Sequence, residues 1–107
     1  MPDEAPERPG VISFDFDGTI DRDPGAFLVA MRAFLGNGWT VIVTTQRGDH
    51  RKPTAEEVIG HLFDRAVPVV RAYGRPKEEA ARAAGFAVDV WVDDDPSSVT
   101  VPTRDGS

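Results

Sequence analysis

Four groups of residues in this chain are of types that do chemistry together. The first is Asp15-Phe16-Asp17-Gly18-Thr19, which follows an apolar stretch, Val11 to Phe14. Residues two apart on an extended chain point to the same side, so Asp15 and Asp17 can share one pocket, and Gly18 lets the chain leave sharply. Close carboxylates repel unless a cation or a proton intervenes. Mg²⁺ suits such a pair because it takes hard oxygen ligands and keeps several waters. A second acidic group, Asp93 and Asp94, with Asp95 behind it, follows another apolar stretch. Thr44 and Thr45 end a third stretch. Lys77 falls in the first turn of a helix opened by Pro76, where a cation opposes the positive end of the helix dipole. Neighbouring Glu78 and Glu79 fit that position, and Lys77 does not. A locally misplaced residue is a candidate for function. Its ammonium could offset repulsion among the carboxylates.

The elements that must position these residues alternate between strand and helix. Val11 to Phe14 reads as a buried strand. Asp23 offers an N-cap and Pro24 a first helical residue, and Phe27, Leu28, Met31, Phe34 and Leu35 follow at helical spacing, with Gly36 and Gly38 as stop signals. Thr40 to Thr44 is a second buried strand. Thr54 and Glu57 form a capping box for a helix with Val58, Ile59, Leu62 and Phe63 on one face. Ala66 to Val70 is a third strand, weakened by Pro68. An alanine-rich helix follows Pro76 and closes at Gly85, and Val88 to Val92 is the fourth strand. The order β-α-β-α-β-α-β implies an α/β fold with a mainly parallel sheet covered by helices on both faces. Ligands bind such sheets at the C-terminal strand ends. Asp15 and Asp17, Thr44 and Thr45, and Asp93 and Asp94 all fall at those ends.

Each group also has a plain reading. Asp93 to Asp95 alone would be a solvated turn, the two threonines β-formers, and Lys77 a surface lysine. Joint placement at one sheet edge sets them apart. A helix–loop–helix calcium site needs a Glu where Ala26 stands, and a strand precedes Asp15. Arg47, His50, Arg51 and Lys52 form a basic stretch after the second strand. It reads either as a solvated loop or as a contact for a negatively charged leaving group.

The hydrophobic strand with DFDGT, then VIVTTQR, RPKEEA and VWVDDDP, resembles the four motifs of the haloacid dehalogenase-like (HAD) hydrolase superfamily, in that family's order and over residues 11 to about 97. The resemblance implies a three-layer Rossmann-like fold and a Mg²⁺-dependent phosphatase. Asp15 would be the nucleophile that forms an aspartyl-phosphate, and Asp17 the general acid and then base. Thr45 would bond the transferring phosphoryl group, since Thr45-Gln46-Arg47 is similar to the T-x-R form of the second motif. Lys77 would be the third-motif lysine. Metal would be held by Asp15 and Asp93, with Asp94 beside them either as a ligand or as a support behind one, and with the main-chain carbonyl of Asp17. Gly18, Thr45, Gln46 and Arg47 would contact substrate.

Many such enzymes carry a cap domain. Only about 20 residues separate DFDGT from the second strand, and 15 lie between Lys77 and Asp93, too few for one. The implied site is open and suits a bulky phosphorylated substrate such as a protein or nucleic-acid end, and a small phosphorylated metabolite also fits. A second subunit could cover it, and the chain lacks a clear fifth strand. A metal- and phosphate-binding module without turnover on the same fold is the alternative. A phosphoacceptor receiver domain is disfavoured, because the third strand ends in Val70-Arg71-Ala72 with no aspartate.

Composition is compatible with all of this. The chain has 107 residues and a formal charge of −6, which argues against nucleic-acid binding by the whole surface. It has no cysteine, which excludes disulfides, thiolate zinc sites and a cysteine nucleophile and fits a reducing cytoplasm. No apolar run is long enough for a membrane helix, and the acidic, proline-rich start lacks the features of a secretory signal. Residues 1–10 and 98–107 read as flexible tails around one core of residues 11–97.

Overall fold

The computed structural model describes residues 9–48, 50, 52–63 and 67–102. Its elements run β1 (Val11–Phe14), a 3₁₀ turn (Ile20–Arg22), α1 (Pro24–Gly36), β2 (Thr40–Thr45), α2 (Ala55–Phe63), β3 (Val69–Arg71), α3 (Lys77–Ala83), β4 (Val90–Val92) and α4 (Ser97–Thr100). The four strands form one sheet in the order β3-β2-β1-β4, and every pairing is parallel. The protein is therefore an α/β fold. Strand order reverses beside β1: β2 and β3 lie to one side and β4 to the other. In open parallel sheets a crevice forms at the C-terminal ends where the order reverses. Here that places the residues after β1 against those after β4.

Strand alternation divides the core in two. Ile12, Phe14, Val41 and Val43 point to one face and pack with Met31 of α1 and Ile59 and Phe63 of α2. Ile42 and Val70 point to the other and pack with Ala80 and Ala81 of α3. Phe14 meets Phe27 and Phe34 edge-on, at centroid distances of 6.0 and 6.2 Å, which ties the strand before Asp15 to α1. The small alanines of α3 let that helix lie close to the sheet, so Lys77 in its first turn can reach the strand ends.

Local signals set several boundaries. The Asp23 carboxylate accepts the Ala26 N–H, and Pro24 begins α1. The Thr54 hydroxyl accepts from Glu57 N–H while the Glu57 carboxylate accepts from Thr54 N–H, the reciprocal pattern expected at the start of α2. The Thr54 N–H bond, and after it the charge of Lys52, hold the Glu57 carboxyl below its usual range. Gly38 and Gly85 have positive φ after α1 and α3.

Other boundaries differ from the sequence reading. β2 runs one residue further, through Thr45. β3 is Val69–Arg71 rather than 66–70. Pro68 has no N–H to give, although its carbonyl accepts from Val43. β4 begins at Val90 rather than Val88. Asp89 pairs instead with the start of β1: its N–H donates to the Val11 carbonyl and its carboxylate accepts the Val11 N–H. Residues 97–100, which span the end of the expected core and the start of the expected C-terminal tail, form α4, with Ser98 and Val99 buried. Residues 1–8 and 103–107 of the expected tails, Ala66 of the expected third strand and Arg51 of the basic stretch lie outside the described residues. Among the described residues no helix is long and apolar enough to cross a membrane.

Candidate active site

The bond from Asp15 N–H to the Val92 carbonyl, 2.8 Å, carries the β1–β4 pairing up to the crevice. The Asp15 side chain is 6% exposed. Its Oδ1 accepts from Lys77 Nζ at 2.7 Å, and its Oδ2 accepts from the Thr19 hydroxyl at 3.1 Å. Thr19 can reach back because residues 16–21 wind tightly, with Thr19 and Asp21 N–H both donating to the Phe16 carbonyl.

The same Lys77 ammonium donates to Asp93 Oδ2 at 2.7 Å, so it joins the ends of β1 and β4. Asp93 is held on both oxygens: Oδ1 accepts the Asp95 N–H at 2.9 Å, and Oδ2 also takes the Ser98 hydroxyl at 3.4 Å. One oxygen from each of Asp15, Asp93 and Asp94 lies within 4.8 Å of the others. These residues and Lys77 line a cleft of about 390 Å³, with Asp17, Gln46 and Ser98.

Burial is the main force on the Asp15 carboxyl and pushes its pKa from 3.8 up to about 7, against the pull of Lys77 and with further upward pressure from Asp94 and Asp93. Burial also acts on Lys77, downward, but its bonds and attraction to Asp15 and Asp93 prevail and raise it. The two shifts have different leading causes: burial disfavours the charged form of Asp15, whereas the carboxylates around Lys77 favour its charged form in spite of burial. Three carboxylate oxygens are hard donors of the kind that a divalent cation such as Mg²⁺ takes.

Gly18 sits at φ +82°, and its N–H donates to Asp21 Oδ1 at 2.7 Å. A Cβ at this position would collide with the Asp94 carboxylate. Gly18→Ala is therefore expected to displace Asp94 and to strain the turn. A lower melting temperature together with at least about tenfold weaker Mg²⁺ binding by calorimetry would bear this out. Unchanged Mg²⁺ affinity would show that Asp94 is not part of the site.

The remaining expected site residues take other places. Asp17 lines the cleft, but its side chain is outside the cluster of three. Its Oδ1 accepts from Arg47 Nη2 at 2.6 Å and Nε at 3.1 Å. Arg47 also donates to the Pro53 carbonyl and stacks on Phe16, with 5.0 Å from guanidinium carbon to ring centroid. Thr45 is fully buried and its hydroxyl accepts the Arg47 N–H at 2.9 Å. Thr44 shares a 2.7 Å hydrogen bond with Ser13 in the sheet. The Gln46 amide fastens the loop after β3: it donates to the Arg75 carbonyl and accepts the Gly74 N–H. The neighbouring Tyr73, at φ +53°, belongs to that same loop.

Three contributors escaped the sequence reading. Thr19 lay inside the DFDGT motif without a role of its own. Ser98 follows Asp93 by five residues, and a serine after an acidic turn is a common local capping signal that could have flagged it. Arg71 donates to the Arg47 carbonyl and pairs with Glu56, which holds the segment after β2. No sequence signal links those three residues. Comparison of the chain with known protein families, curated proteins and solved structures gave no match.

Proposed function

We propose that this protein is a magnesium-dependent phosphomonoesterase of the HAD type, working through a phosphoryl group carried on Asp15. The observation that carries the reading is the Lys77 ammonium between Asp15 and Asp93, 2.7 Å from each, with Asp94 completing a group of three carboxylates. Helices on both faces of a parallel sheet, with the acids at the crevice where strand order reverses, agree with a three-layer Rossmann-like arrangement.

Asp15, Asp93 and Asp94 would hold the metal, which when bound would offset the charge of an incoming phosphoryl group. The Asp15 carboxylate attacks phosphorus as the bond to the leaving oxygen breaks, and Asp17 gives that oxygen its proton. Asp17 then takes a proton from the water that attacks the aspartyl-phosphate, which returns Asp15 and releases inorganic phosphate. Lys77 fixes the Asp15 oxygen. Thr45 backs the site through the Arg47 backbone rather than facing the cleft. Between α3 and β4 there is only a short loop, so the cleft is open to a phosphate on a large or a small substrate. A cysteine-free chain fits the cytoplasm.

The test is release of phosphate from p-nitrophenyl phosphate, expected to require Mg²⁺ and to stop with a chelator. No turnover across phosphorylated metabolites, phosphopeptides and phosphate-ended oligonucleotides would overturn the proposal. One observation favours a module that binds metal without turnover: the hold of Arg47 on Asp17. Tight Mg²⁺ binding with no hydrolysis would decide for it.

A further inference from the structure

A second cleft, of about 420 Å³, lies beyond the Asp17–Arg47 ion pair from the first. Its apolar walls come from Phe16, Pro24, Pro53 and Val58. Its charged lining is Arg47 and Lys52 against one carboxylate, Asp21. The two clefts meet at an ion pair, because Asp17 lines the first and its partner Arg47 lines the second. Their electrostatics are opposite. The first is dominated by Asp15, Asp17, Asp93 and Asp94, and the second carries more positive than negative charge.

Arg47 already donates to Asp17 and Pro53 and lies on Phe16, so it forms a wall rather than a free hook. Lys52 is exposed at the rim. It is the cation that a ligand in this cleft would meet without displacing the Asp17–Arg47 pair. Asp17 would hand its proton to the leaving oxygen, so the leaving group extends past Asp17, on the side where Arg47 stands.

We infer that the second cleft receives the leaving group of the substrate, and that this group is a compact apolar ring bearing an anionic substituent. The inference rests on the phosphatase reading and goes beyond it by naming a substrate class. Apolar walls take the ring, and Lys52 takes the anion. The metal in the first cleft would offset the charge of the phosphoryl group alone, and a second anion there would face the carboxylates, so the second cleft also sets the orientation of a substrate with two anionic groups.

The experiment compares phenyl phosphate with 4-carboxyphenyl phosphate, in wild type and in Lys52→Glu, with Mg²⁺ present. Intrinsic reactivity of the two esters cancels when the ratio of their kcat/KM values is compared between proteins. Lys52→Glu is expected to lower the ratio of carboxylated to plain ester by about fivefold or more, mainly through KM. A merely structural role for Lys52 would depress both esters together and leave the ratio unmoved. Turnover of both esters with an unchanged ratio overturns this inference and leaves the phosphatase reading standing. No turnover of either ester, or of acetyl phosphate, overturns both.

Discussion

Asp15→Asn should reduce phosphate release to background, a loss of about three orders of magnitude or more, without unfolding the protein. The amide has nearly the shape of the carboxylate, and its oxygen can still accept from Lys77. It lacks the charged oxygen that attacks phosphorus. The same substitution removes a carboxylate that burial makes costly to ionise, as its pKa of about 7 records. Metal-free Asp15→Asn should therefore melt no lower than metal-free wild type above about pH 7, since ionised Asp15 is the state that strains the wild-type site. A paired loss of activity and retention of stability separates a chemical role from a packing role. Mass spectrometry of acid-quenched wild type should find one added phosphoryl group on the peptide containing Asp15. Turnover retained by the asparagine variant would remove Asp15 as nucleophile.

Much of the scaffold for this chemistry is written in local signals. β1, α1 and the start of α2 follow from an apolar run, an Asp-Pro start and a Thr-x-x-Glu pair, each governed by neighbours within four residues. The shorter extents of β3 and β4 share a cause. Pro68 and Asp89 each stand beside apolar residues that suggest a longer strand, and only the paired chain decides which backbone groups join the ladder. α4 is a single turn with no apolar period, so its burial beside α3 depends on the finished fold.

The meeting of Asp15, Lys77 and Asp93 was legible because strand-end placement is a topological rule, independent of side-chain rotamers. The Asp17–Arg47 pair was not, because residues 30 apart in the chain meet only through the course of the loop after β2. Arg71 and Gln46 set that course by fastening main-chain groups of two loops, a role that residue type does not announce.

Lys77→Met should destabilise the metal-free protein by about 3–5 kcal/mol near pH 8, the range for removing one partner of a buried ion pair. Lys77 is 3% exposed and its ammonium bonds two carboxylates, so methionine fills the space but leaves Asp15, Asp93 and Asp94 facing one another. Acid should relieve the loss, because protonated carboxyls no longer repel. The direction follows from proton binding. Asp15 keeps a proton up to about pH 7 in the folded chain and loses it near 3.8 when unfolded. Folded protein thus holds more protons across that interval, and this contribution to metal-free stability falls as pH rises through it. The raised pKa of Lys77 contributes in the opposite range: its own proton is lost only as pH climbs through a folded value above its ordinary 10.5, so Lys77 keeps its charge throughout the window where Asp15 titrates. The methionine variant should consequently lose stability more steeply than wild type between about pH 4 and pH 8, as read by urea unfolding at each pH. Millimolar Mg²⁺ should restore part of it at the alkaline end by supplying the missing positive charge. A variant as stable as wild type near pH 8 without metal would mean that these carboxylates do not strain one another, and the case for a cation among them would fall with that result.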